Sequence, residues 1–196
     1  MKTISVLALF LLFSTTLLAQ NESSGTFWKP SPANYEVKRA LEIEALPFVY
    51  LSQGYHVAVG YRLQKFRFRA SIIDAGTFNS ENSNDKFERF ETKGTFGIFA
   101  GYNIWKNLET YVFVDRQVFD IKQKTTSETK QLTSVTPGLG ISYQFFIGRY
   151  FYVQPGLHLY MRGSQEAKFS DNTTYSLSTV DFFPVVRFGV RPWKKF

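Results

Sequence analysis

No cysteine occurs anywhere in this chain, which excludes a disulfide framework, thiolate catalysis and any cysteine-ligated metal centre. Histidine is nearly as scarce: only His56 and His158 are present, too far apart for the H-x-x-x-H spacing of a helical metal site. No serine or carboxylate stands at a distinctive spacing from either, so nothing here marks a hydrolase. Past the N-terminus there is no run of about eighteen apolar residues, which excludes a membrane-spanning helix. Nor is there a face of one charge sign. Basic residues exceed acidic ones, 23 to 16, yet the longer polar segments carry equal numbers of each, so no basic surface is offered to nucleic acid.

What the chain does have is aromatic residues, 18% of the total with 21 Phe and 11 Tyr, arranged with a period of two. Near the C-terminus Val180, Phe182, Pro184, Val186, Phe188, Val190 and Pro192 occupy alternate positions through to Phe196, while Asp181, Arg187, Gly189 and Arg191 fill the gaps. One face of such a strand suits lipid and the other suits a polar interior, the pattern of a transmembrane β-barrel. Alternation of this kind also cancels in any average, so an overall hydropathy near neutral hides the membrane character.

Residues 1–19 read as a secretory signal, with Lys2 before the apolar run Ile4 to Leu12 and a polar stretch leading to Leu17-Leu18-Ala19. Residues 20–38 are polar and aperiodic and read as a periplasmic lead-in of low order, followed by a transmembrane β-barrel over 39–196. Eight strands are expected at about 39–50, 54–63, 66–78, 94–104, 108–122, 131–146, 150–163 and 176–196. The first turns Leu41, Ile43, Ala45, Pro47 and Val49 outward against Glu42 and Glu44, and the second turns Tyr55, Val57, Val59, Tyr61 and Leu63 outward against His56, Ala58, Gly60 and Arg62. In the fifth, Tyr111, Phe113 and Phe119 compete with Val112, Val114 and Val118 for the outer face. Adjacent charges Asp115 and Arg116 then require either a membrane boundary at one of them or a phase slip. Gly138-Leu139-Gly140 lies inside a strand and lacks the third glycine of a dinucleotide loop, so it reads as a smooth patch of wall under a bulky neighbour. Pro47, Pro137, Pro155 and Pro184 all fall in the outward phase, where a central strand disfavours them.

Connections alternate short and long, as in an even-stranded barrel with both termini periplasmic, short periplasmic turns and longer outer loops. The inward phase collects a charge cluster, Glu42, Glu44, Arg62, Arg67, Arg69, Arg187 and Arg191, which closure of the barrel would bring together. Paired charge filling a narrow lumen is one outcome; a gated ion or proton path, needing a water-filled lumen, is the other. Phe87 and Phe90, aromatics within a charged loop, are the candidate contacts to a partner, unless they fold back on the rim.

With the signal, the alternating strands, the loop asymmetry and the terminal aromatic assembled, residues 39–196 resemble the small outer-membrane barrels of Gram-negative bacteria, of the OmpX and OmpA transmembrane-domain kind. The resemblance implies an all-β, eight-stranded antiparallel up-and-down transmembrane barrel in the outer membrane, in contact with lipid and lipopolysaccharide. It also implies that the C-terminal strand, with Phe188, Val190 and Phe196, is the signal read by the barrel assembly machinery, although Pro192 and the adjacent lysines depart from that signal's usual form. Members of this class include structural proteins, adhesins, accessory subunits of outer-membrane complexes and a few lipid A enzymes, and fold does not choose among them. The expectation is a structural or accessory barrel acting with other outer-membrane proteins and needing no cofactor. An outer-leaflet lipid-modifying enzyme and a narrow channel are the alternatives.

Overall fold

A computed structural model describes residues 37–76, 86–92, 94–148 and 150–195. The expected signal sequence, nearly all of the lead-in and Phe196 lie outside the described residues. The elements are β1 (Arg39–Ala45), α1 (Pro47–Leu51), β2 (Tyr55–Leu63), β3 (Phe66–Asp74), β4 (Phe87–Glu91), β5 (Thr95–Trp105) and β6 (Leu108–Gln123), followed by β7 (Thr129–Tyr143), β8 (Phe145–Ile147), β9 (Phe151–Met161), β10 (Glu166–Lys168), β11 (Thr174–Ser176) and β12 (Val180–Lys195).

Each wall strand pairs antiparallel with its neighbours in the chain, and β12 pairs with both β9 and β1, closing the sheet. Counting β7 and β8 as one interrupted strand, the wall runs β1-β2-β3-β5-β6-β7/β8-β9-β12: eight strands in an up-and-down barrel, as the sequence and its resemblance imply. Where β12 pairs with both β9 and β1, the lower wall has no free strand edge. The end with the tight turns 64–65 and 106–107 is called lower here; the long connections are at the upper end.

Burial follows the period of two. In β2, His56, Ala58, Gly60 and Arg62 are buried, whereas Tyr55, Val57, Val59, Tyr61 and Leu63 are exposed. Charge inside and aliphatic side chains outside is the inverse of a water-soluble domain, and it makes this a transmembrane barrel. Exposed Trp105, Tyr102, Tyr150 and Trp193 ring the lower rim, the position of an interfacial aromatic girdle. The competing phases of β6 resolve without a slip: Tyr111, Phe113, Asp115, Gln117 and Phe119 face inward in one unbroken register with β7. Arg116 points outward near the upper rim, where it donates to the Gly94 carbonyl at 2.8 Å.

Four boundaries differ from the sequence expectation. The first strand stops at Ala45 rather than running to residue 50, because Pro47 starts the short helix α1. Proline's fixed φ and missing N–H suit a first helical turn and not a strand ladder. The second long connection contains β4, which extends the sheet above the barrel by pairing with the top of β6. Residues 174–176 belong to the β10–β11 hairpin, so the last wall strand begins at Val180. The sixth wall strand is broken at Gln144, where β7 gives way to β8.

The strand prolines stand where one flank of the ladder is missing. Pro137 lies just beyond the last β7–β9 pair, Gly138 with Tyr160. Pro155 lies opposite the break between β7 and β8, and Pro184 lies above the last β1–β12 pair, Ala45 with Phe188. Pro192 sits at a register shift between β12 and β1, where the pairing slips by one between Leu41 and Ile43. A residue with no N–H costs least where no partner awaits it.

Candidate functional site in the barrel lumen

The lower lumen is filled by one ionic network. Facing residues of β1, β2, β3 and β12 bring all seven charges of the inward set together, and β6 adds an eighth, Glu109. Arg67 is at its centre. Its Nε donates to Glu42, its Nη1 donates to Glu109 Oε2 at 2.8 Å and to Gln154 Oε1 at 2.9 Å, and its Nη2 donates to Glu44 and to the Tyr152 hydroxyl at 3.0 Å. All five guanidinium N–H groups are thereby used. Tyr152 passes the interaction on, donating to Glu44 Oε1 at 2.8 Å.

Around this centre Arg191 donates twice to Glu42 Oε1, at 2.6 and 3.0 Å, and Arg62 reaches the same oxygen at 3.4 Å. Arg62 also donates to Asn103 and Gln144, at 2.8 and 2.7 Å. Arg69 bridges Glu44 and Glu109, at 3.5 and 3.3 Å, with its guanidinium over the Tyr111 ring at 4.7 Å. Five arginines thus meet three glutamates. The surplus positive charge is spread over amide oxygens and ring faces, including Phe146 at 4.5 Å from Arg191. Such a network holds only while every member is paired.

Above it lies a layer of rings. Phe113 and Tyr111 pack with Phe99 and with His158, the Phe113–His158 centroids being 4.8 Å apart. Two of these rings need bare wall beside them. A Cβ built on Gly138 would stand 2.1 Å from Phe113, and one on Gly140 would stand 2.2 Å from Tyr111, which is the physical reason for glycine in this stretch of β7. Arg187 Nη2 lies 2.7 Å from His158 Nε2, and a guanidinium can only donate, so that nitrogen accepts. His158 Nδ1 then carries the proton and faces the Tyr160 hydroxyl at 3.1 Å.

Above the rings is a cavity of about 580 Å³, bordered by His56, Asp115, Tyr160, Arg187, Phe183 and α1 among others. Phe119 of its lining belongs to a small apolar cluster in which Phe87, Ile121, Phe169, Tyr175 and Leu177 also pack. Phe87 is therefore not free for a partner: its ring is 5.1 Å from Phe169 and 5.4 Å from Tyr175. Phe90 alternates to the opposite face of β4 and is only half-buried. Phe188 is exposed on the outer wall and Val190 is half-buried beside β9.

Two features escaped the sequence reading. Glu109 could have been found from β6, where Glu109, Asp115 and Gln117 share one parity and so define an inward face. The cavity has no sequence signal. No group of three or more His, Asp or Glu side chains placed to hold a metal ion occurs among the described residues.

No family model matches the chain, and no curated protein matches it by sequence. Among solved structures, the N-terminal β-barrel domain of Pseudomonas aeruginosa OprF superimposes with a TM-score of 0.45 at 12% identity, over 79% of this chain and 98% of that one. Neisserial surface protein A (NspA) does so with a TM-score of 0.43 at 13% identity, over 78% and 91%.

Proposed function

We propose that this chain is an integral outer-membrane barrel with both termini periplasmic, and that it serves as a structural or accessory subunit and not as a conduit. The observation that carries this reading is the filled lower lumen: Arg67, whose five donors all end on protein acceptors, is fully buried together with Glu42, Glu109, Gln154 and Arg191. Lipid and lipopolysaccharide would meet the aliphatic outer wall. The C-terminal strand would engage the assembly machinery through Phe188, Val190 and Phe196, and other outer-membrane proteins would be met at the outer loops.

Conductance tests the reading directly. Purified protein reconstituted in planar bilayers is expected to give a flat current trace at physiological salt. Steady unit steps would replace this reading with the channel. Comparison of outer-leaflet lipids from a deletion strain and its parent is expected to show identical species; a lipid form lost with the gene would favour the enzyme.

A further inference from the structure

The geometry points to the upper cavity as a site for a membrane-dissolved amphiphile whose aliphatic chain enters sideways, between α1 and β12, and whose uncharged hydroxyl group settles against Asp115 and Arg187.

The opening follows from unequal strands. β1 ends at Ala45, opposite Phe188, whereas β12 continues up to Val180, so the stretch 180–187 has no β1 neighbour and α1 stands in its place. The helix buries none of its residues and exposes Phe48, Tyr50 and Leu51, apolar groups at the height where the wall is incomplete. Phe183 marks the gap from the other side. It has the parity of Arg187 and Arg191 and should face a closed lumen, yet it is 43% exposed. Unpaired strand is tolerated at membrane depth only where it lines a cavity or meets polar groups, which sets this gap near the headgroup level and gives it a use for a polar ligand.

The interior fits one kind of guest. Its volume lies within the range of about 300–1,000 Å³ found for small-molecule sites. Ile73, Val185, Phe99 and Phe119 supply apolar lining. In the lining, the buried atoms His56 Nδ1, Asp115 Oδ1 and Arg187 Nη1 make no hydrogen bond of their own, while the Asp115 and Arg187 side chains are held by Tyr160 and Tyr111. Asp115 Oδ1 offers an acceptor and Arg187 Nη1 a donor, the two roles that a hydroxyl fills. Each guanidinium of the lining already has a carboxylate, Arg89 and Arg162 sharing Asp181 and Arg187 facing Glu44, so an ionised head group would have to compete with a pair in place.

The test uses adjacent isoleucines on opposite faces of β3. Ile72 is exposed on the outer wall and Ile73 borders the cavity. The full chain, folded in deuterated detergent, is titrated with 1-dodecanol while proton cross-peaks from the probe to each isoleucine are recorded. The expected result is saturable cross-peaks to Ile73 and Val185 in addition to those at Ile72. Ser71→Trp, which fills the cavity, should abolish the Ile73 signals and spare those at Ile72. Dodecanoate should bind about tenfold more weakly than dodecanol, the scale of one ill-matched buried polar group, and Asp115→Asn should narrow that difference. Cross-peaks at Ile72 alone would overturn the proposal while leaving the lipid-facing wall intact. Equal or tighter binding of dodecanoate would overturn the assignment of an uncharged group.

Discussion

Arg67 and Glu109 meet across the lumen, Nη1 to Oε2 at 2.8 Å, although β5 stands between their strands in the wall. A span of this kind exists only because the barrel is narrow enough for side chains to fill, and it makes the network a brace between non-adjacent staves. Replacing Glu42 and Glu44 together by Gln leaves five arginines facing one carboxylate. The double variant is expected to lose about 3–5 kcal/mol of stability, the usual cost of stranding buried charge. The measurement is the denaturant midpoint of the folded, heat-modifiable band on a gel, with a bilayer recording alongside that remains flat for both proteins. An unchanged midpoint together with new conductance would reverse the reading of this site.

Gly140 is the sharpest steric test. Gly140→Val drives a side chain into the Tyr111 ring, and overpacking of this kind costs about 1–3 kcal/mol. Adding Tyr111→Ala should recover part of the loss, giving a coupling of about 0.5–3 kcal/mol in a double-mutant cycle. Purely additive losses would mean that the ring does not lie over the glycine.

Phe188 and Lys195 separate wall from rim. Phe188→Asp places an acid on the lipid face of β12 at a depth-dependent cost on the order of 1–2 kcal/mol, whereas Lys195→Asp changes an exposed residue at the lower edge. The fraction of heat-modifiable protein in membrane fractions should fall for the first and hold for the second. Equal yields would contradict the strand phase.

The outer loops carry a pH signature. Ser170 donates to Glu128 Oε2 from its hydroxyl at 2.6 Å and from its N–H at 3.1 Å, and these bonds hold the Glu128 carboxyl below its ordinary value. Because the folded value is lowered, the tie between the β6–β7 turn and the β10–β11 loop is fully present above the ordinary carboxylate range. It is lost as pH falls through the lowered value. The Ser170 amide resonance should titrate with a midpoint below about 4.3, and Glu128→Gln should remove the titration. A midpoint at or above that value would show that the loops are not joined there.

Most of the lumen was legible in the sequence for one physical reason: a strand with lipid on one side and charge on the other cannot shift by a residue without burying the wrong face. Glu42, Glu44, Arg62, Arg67, Arg69, Arg187 and Arg191 all follow from parity. Glu109 was missed because aromatic residues suit either face of a barrel wall, so Tyr111 and Phe113 masked the phase of β6. Helix α1 was missed because Pro47 and Val49 continue the outward parity of Leu41 and Ile43 by coincidence. The β10–β11 hairpin has strands of three residues, too short to show any period. The stretch of β12 without a β1 neighbour could not be read at all, since it results from the difference in length between the first and last strands and from no residue pattern.

The pairing of Arg191 with Glu42 joins positions 149 residues apart in the chain. Contacts so distant form late, because the loop that separates them must first be brought together. Until β12 docks, β1 and β9 each keep an open edge and Glu42 has only Arg62 and Arg67. The β12 seam therefore supplies both the hydrogen-bonded neighbours of β1 and β9 and a guanidinium for Glu42, and opening it surrenders both together.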